Sequence, residues 1–139
     1  KESSAASDVY KRQEEIIKLW LQYLEEEKLD FTLSYRELAK ENPQLPKNDR
    51  FNQFYEKLQT RLTHAPFILR NELNKVNPLY IPRNHQIESM IKSAISGDMK
   101  KFDEMLELIK LPFTKQDKYA KYELPPKEDE IVTATFCGT

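Results

Sequence analysis

Cysteine is nearly missing from this chain: Cys137 is the single one among 139 residues. No internal disulfide can form, and a multi-cysteine zinc site is ruled out. Glycine is almost as scarce, with only Gly97 and Gly138. Phosphate-cradling loops of the Walker or dinucleotide type need at least two glycines clustered ahead of a helix. This chain cannot build one, so any nucleotide chemistry would have to come from elsewhere. An excess of one charge is also absent, since 22 Lys and Arg stand against 23 Asp and Glu. Dependence on nucleic acid through bulk electrostatics needs a basic face and is disfavoured, although a local patch stays open. No apolar run approaches the ~20 residues of a transmembrane helix. The first seven residues, Lys-Glu-Ser-Ser-Ala-Ala-Ser, lack the apolar stretch of a secretory signal. The chain starts without Met, which points to a processed chain or a piece of something longer.

What is present is helical periodicity. The length suits one domain with an ordinary core. Apolar residues make up 39% and charged ones 32%, polar for a folded protein but within range for a helical one. Residues 1–7 are small and polar, with Ser7 a possible cap, and a long helical pattern runs over about 8–28. Val9, Ile16, Ile17, Trp20, Tyr23 and Leu24 form its stripe, widened by Leu19 and Leu21. The acids Glu25, Glu26 and Glu27 lie at the end where the helix dipole mildly disfavours them; they read as a solvated acidic end, with a compensating basic neighbour as the alternative. Ser34 and Glu37 have capping-box spacing for a short second helix that Asn42-Pro43 stops. Asn48 or Asp49 caps the next, whose stripe is Phe51, Phe54, Tyr55, Leu58 and Leu62. Pro66 suits the first position of a helix to about Val76, with Phe67, Leu69 and Leu73 inward.

Residues 77–84, Asn-Pro-Leu-Tyr-Ile-Pro-Arg-Asn, break the helical run. Pro78 and Pro82 remove backbone donors and favour extended geometry at Asn77 and Ile81. Leu79, Tyr80 and Ile81 are too apolar for a solvated linker, so the segment reads as a rigid crossover packed on the body. Asn84 is a candidate cap for a helix with Ile87, Met90, Ile91, Ala94 and Ile95 inward. Gly97 is the expected left-handed terminator and Asp98 the next cap. Met99, Phe102, Met105, Leu106 and Ile109 carry a last helix, antiparallel to its predecessor, and Pro112 ends it. Beyond Phe113 the periodicity is lost. Residues 131–136 are β-branched and strand-like, and the tail is expected to lie along the body or a partner. The fold expected is all-α: an irregular bundle of about five helices, with a helical body over 1–111 and an extended tail over 112–139.

Catalytic and metal roles find no support in the pattern. His64 and His85 are far apart, each beside helix-boundary residues, with no carboxylate or cysteine at ligand spacing. Asp49 and Asp98 read as caps, and the Met99–Met105 stripe as core. Cys137 reads either as an incidental small residue or, as a thiol near the chain end, as a redox handle, because thiol reactivity follows thiolate character and access.

The run over 77–85 resembles the Asn-Pro-x-x-x-x-Arg-Asn signature of the selenoprotein O family. Residues 94–102 resemble the Gly-Asp turn between two helices that follows it. Pro112-Phe113, Tyr119, Tyr122 and Pro125-Pro126 match the downstream spacing, and 135–139 the cysteine-bearing tail. Phe54-Tyr55 through Arg61-Leu62 is a looser match and residues 1–45 a weak one, so the resemblance covers roughly 50–139.

The resemblance implies a protein adenylyltransferase with a protein-kinase-like fold, which uses ATP and a divalent metal such as Mg to move AMP onto protein hydroxyls. It implies that this chain is the C-terminal, non-catalytic helical region, with no catalytic, cofactor or metal residues of its own. Cys137 carries over as a redox position, while Asn77, Pro78, Arg83 and Asn84 carry over as structural signature residues. Here Cys137 lacks a Cys-x-x-Cys partner. Implied partners are the N-terminal catalytic part of the same protein and its protein substrates, without nucleic acid or membrane. The implied location is cytoplasmic in a bacterium and mitochondrial in a eukaryote. The rival reading is a stand-alone helical protein-interaction module. The adenylyltransferase reading further predicts an uncovered apolar face on the isolated chain.

Overall fold

A computed structural model describes residues 2–62 and 66–134, with side chains over 5–62 and 70–134. The described residues are all-α. Six α-helices run in order: α1 (Glu2–Glu26), α2 (Phe31–Leu38), α3 (Asp49–Arg61), α4 (Pro66–Val76), α5 (Asn84–Ile95) and α6 (Lys100–Lys110). A 3-10 helix follows at Asp117–Glu123 and a single 3-10 turn at Glu128–Glu130. The chain divides into two compact units, Lys1–Asn74 and Lys75–Thr139. The division thus falls at 74/75, and the expected helical body over 1–111 is shared between the two.

In the first unit α1 packs on α3. Trp20, Tyr23 and Leu24 from α1 meet Phe51 and Phe54 from α3 in one buried cluster, flanked by Ile16, Tyr35 and Leu58. Trp20 lies 4.8 Å from Phe54 and meets Tyr35 edge-on at 5.5 Å, the tilted geometries aromatic quadrupoles favour. Ile16, Trp20, Tyr23 and Leu24 face inward as their spacing predicts. Val9, Ile17 and Leu21 are exposed: Ile17 and Leu21 lie round the helix from that face, while Val9 lies on it two turns before Ile16.

The start of α3 and the end of α1 are set by particular residues. The side chain of Asn48 accepts the Phe51 amide at 2.8 Å and starts α3 as expected. Its other arm donates to Glu27 at 2.6 Å, while Arg50 forks onto Glu26 at 3.0 and 2.7 Å. The acidic end of α1 therefore has its compensating partners. Lys28 takes the left-handed backbone, φ 51°, and Leu29 donates back to the Leu24 carbonyl at 3.0 Å. This is the helix-terminating turn glycine usually supplies, built without one.

Two caps differ from the sequence reading. Helix α2 starts at Phe31, not after Ser34, because Asp30 accepts the Leu33 amide at 2.9 Å. Ser34 is buried inside the helix, and Glu37 instead pairs with Lys40 and accepts the Gln44 amide at 2.7 Å. Ser7 sits within α1 and does not cap it. Pro66 does open α4, while the side chains of Phe67 and Leu69 lie outside the described residues.

In the second unit α5 and α6 pack as a hairpin through the turn at Gly97. Gly97 has φ +91°, and Asp98 donates to the Ser93 carbonyl at 2.9 Å, closing α5 as expected. The Asp98 side chain accepts the Lys100 amide at 3.0 Å. The core is Leu79, Tyr80, Met105, Leu108, Tyr119 and Tyr122, with Met90 against it. Of the five residues expected inward on α6 only Met105 is buried; Met99, Phe102, Leu106 and Ile109 are exposed. Leu108, one turn on from Met105, is the fully buried residue of that face. Ile91 and Ile95 are exposed on α5 as well. Residues 131–134 form no strand, since β-propensity acts through neighbouring strands and none is present among the described residues.

Candidate functional site

The 77–84 crossover is anchored at its centre. Pro78 and Pro82 have no amide to offer, so the donors of the segment are few. Two of them, Leu79 N and Tyr80 N, converge on one acceptor, the Pro112 carbonyl, at 2.8 and 3.2 Å. That bond joins the entry to the α5–α6 hairpin to its exit. Leu79 and Tyr80 are buried, and the Tyr80 hydroxyl accepts from the Gln116 amide at 2.8 Å and donates to the Gln116 carbonyl at 3.1 Å. Burial is the main reason its pKa is raised; the Gln116 amide opposes the shift, and the Glu123 carboxylate 3.5 Å away adds to it. Arg83 is buried and donates through Nη2 to the Glu123 carbonyl at 3.3 Å. Asn84 is exposed and is the first residue of α5; the cap position belongs to Arg83, whose backbone is extended there. The expected Asn84 cap is thus shifted by one residue. Asn77 and Pro78 are half-buried at the start of the segment.

A second device faces this anchor. The 3-10 segment is kinked at Tyr119, and the rings of Tyr119 and Tyr122 meet edge-on with centroids 5.9 Å apart. Each hydroxyl donates to a carboxylate of α6: Tyr122 to Glu104 at 2.5 Å, and Tyr119 to Glu107. The lysine preceding each tyrosine bonds the same carboxylate, Lys121 to Glu104 at 3.2 Å and Lys118 to Glu107 at 2.9 Å. Each ammonium also lies over its neighbouring ring, at 4.8 and 4.6 Å from the centroid. The Tyr122 hydroxyl holds Glu104 below the ordinary carboxylate pKa, assisted by Lys121. Lys118, then Tyr119, does the same for Glu107. Burial, then Glu104, pushes the Tyr122 hydroxyl up. Sequence reading by 3.6- and 2-residue periods missed this clamp. Its signal is a repeat at spacing three: Lys118-Tyr119 and Lys121-Tyr122 against Glu104 and Glu107.

Beside the clamp lies an open cleft of about 570 Å³, lined among others by His85, Ser89, Lys101, Lys121, Lys127 and Glu130. Lys101 donates to Ser89 at 2.6 Å, and a His85 ring nitrogen lies 3.1 Å from the Gln86 amide nitrogen. Cys137 and His64 lie outside the described residues. Among the described residues no three His, Cys, Asp or Glu gather as a metal-binding group, and no helix is long and apolar enough to cross a membrane. The arrangement fastens the crossover to Pro112 and the 3-10 segment to α6.

Comparison with known proteins decides the family. A protein of Nitrobacter winogradskyi called protein nucleotidyltransferase YdiU is 36% identical over 123 residues, 79% of this chain and 24% of its own length. One of the same name from Bradyrhizobium diazoefficiens is 32% identical over 139 residues, 91% of this chain and 28% of its own. A third, from a Ruegeria species, reaches 49% over 63 residues, 45% of this chain and 13% of its own. YdiU is the bacterial form of the selenoprotein O family. The chain belongs to that family. The chain spans about a quarter of the length of the Nitrobacter and Bradyrhizobium relatives. No family model and no solved structure matches it.

Proposed function

We propose that this chain is the C-terminal, non-catalytic helical region of a selenoprotein O-type protein adenylyltransferase. The observation that carries the reading is the extended likeness to proteins named nucleotidyltransferase, of which the chain matches only a quarter. On this reading the full-length enzyme transfers AMP from ATP to Ser, Thr or Tyr hydroxyls of proteins, using a kinase-like catalytic part and Mg. The residues here do not fit an ATP or Mg site. Glu104 and Glu107 are each committed to a tyrosine and a lysine, and Asp98 to a helix start. Two glycines cannot form a phosphate loop. ATP and Mg would be held elsewhere in the full-length protein, and this region would support the catalytic lobe.

The same reading gives Cys137 a redox role: its oxidation restrains the enzyme by tying down the tail, with the second thiol supplied by the catalytic part. The deciding experiment follows labelled AMP from ATP onto protein, using the 139-residue chain and the full-length protein that contains it. Label transfer by the full-length protein and none by the chain is expected. Transfer by the chain alone, or none by the full-length protein, overturns the assignment. In the full-length protein, Cys137→Ser should abolish the response of transfer to oxidant and reductant; an unchanged response removes the redox role.

A further inference from the structure

Helix α6 is apolar over about half its circumference, yet only half of that arc is covered. At 100° per residue, Met105 and Leu108 point into the core of the second unit. Met99, Phe102, Leu106 and Ile109 follow at spacings of three, four and three, and make a second stripe beside the first. Their exposures are 46, 36, 39 and 45%. Lys100, Asp103, Glu104, Glu107 and Lys110 occupy the opposite arc and Lys101 falls between Leu108 and Met105, so no charge interrupts the second stripe. Scattered apolar residues on a surface are ordinary. A continuous stripe of four large ones along three turns marks a contact surface.

We infer that this stripe docks against the part of the full-length polypeptide that lies outside this chain. The inference rests on the reading of the chain as a segment of a longer nucleotidyltransferase. The relatives supply the occupant: the chain corresponds to 24–28% of their length, leaving roughly three quarters to pack against it. The polar arc argues against a lipid surface. An in-plane membrane helix carries a basic polar face, whereas α6 holds three lysines and three acids, two of the acids bonded to the Lys-Tyr pairs 118/119 and 121/122. The docked surface must itself be apolar, because any charge it presented would meet no partner on the stripe.

Hydroxyl-radical footprinting, normalised to an internal dosimeter, tests this on the 139-residue chain and on the full-length protein. Met99 and Phe102 should oxidise roughly fivefold more slowly in the full-length protein, the change from nearly half-exposed to the buried centre of an interface. Equal rates in the two proteins overturn the inference. So does protection that appears in the chain alone as its concentration rises, which would make a second copy the occupant. The readout is independent of AMP transfer: a full-length protein that protects the stripe but transfers nothing sinks the functional reading and leaves the docking intact.

Discussion

Replacing Tyr122 by Phe isolates what one hydroxyl does for the second unit. The ring is buried and stays, with its edge-on contact to Tyr119 at 5.9 Å; only the oxygen goes. That oxygen donates to Glu104 at 2.5 Å. A hydrogen bond to a charged group contributes roughly 1.5–3 kcal/mol. Glu104 keeps Lys121 at 3.2 Å, and its side chain is still 17% exposed to water, which places the loss near the lower end, about 1.5 kcal/mol. Tyr119→Phe should do less, because its acceptor Glu107 is half-exposed and water can replace the hydroxyl. Urea unfolding followed by far-ultraviolet circular dichroism reads both variants, as lower midpoints at unchanged slope. Alkali gives a second handle. The folded pKa of Tyr122 is raised above its ordinary value of 10.0, so its contribution is whole below that pH and drains away as pH climbs towards the folded value. The wild type should therefore lose stability above about pH 10 more steeply than Tyr122→Phe. A Tyr119→Phe cost equal to or larger than that of Tyr122→Phe would refute the reasoning, as would an unmoved midpoint for Tyr122→Phe.

Three further outcomes follow from the geometry. Asn48→Ala removes the α3 cap and the bond to Glu27 together, and should cost about 1–2 kcal/mol in the same denaturation assay. Gly97→Ala meets no neighbouring atom within 4 Å, so its cost is the left-handed backbone alone, about 1 kcal/mol, read from the same midpoints. Acid should destabilise the chain through three carboxylates. Burial would raise Glu37, but Lys40 and the Gln44 amide outweigh it, while Glu104 and Glu107 are held low by their tyrosines and lysines. Groups depressed in the folded state stabilise it above their unfolded pKa, here 4.5, and that contribution is lost as pH falls through the folded values. Thermal unfolding from pH 7 downwards should show a falling midpoint that begins near that value, less pronounced in Glu104→Gln.

Local chemistry was legible where one residue type suffices. Asn48 before a one-sided aromatic stripe, Gly97 at a helix end and Pro66 at a helix start each act within a turn of themselves. The inward pull of Leu79 and Tyr80 was also readable, because apolar residues between two prolines have no other explanation. The α2 start was misread because Asp30 and Ser34 are both competent caps, and sequence spacing alone cannot rank them. The inward face of α6 was misread because the stripe of Met99, Phe102, Leu106 and Ile109 is the more apolar by sequence, and only the tertiary position of Glu104 and Glu107 says that the Met105–Leu108 face turns in. The Lys-Tyr clamp was illegible for the same reason. Its four residues mean nothing until α6 lies opposite them, and a period of three belongs to neither standard pattern.

The single carbonyl of Pro112, taking the amides of Leu79 and Tyr80, has a bearing on how this region can be engineered. The α5–α6 hairpin starts and ends at this one point, so its base is fixed. Length added at the Gly97 turn extends the far end of that hairpin without shifting the register at its base, and loop-closure entropy rises only slowly with length. An insertion or reporter tag is therefore better placed after Gly97 than near Asn77 or Pro112, where even one added residue would pull two hydrogen bonds apart.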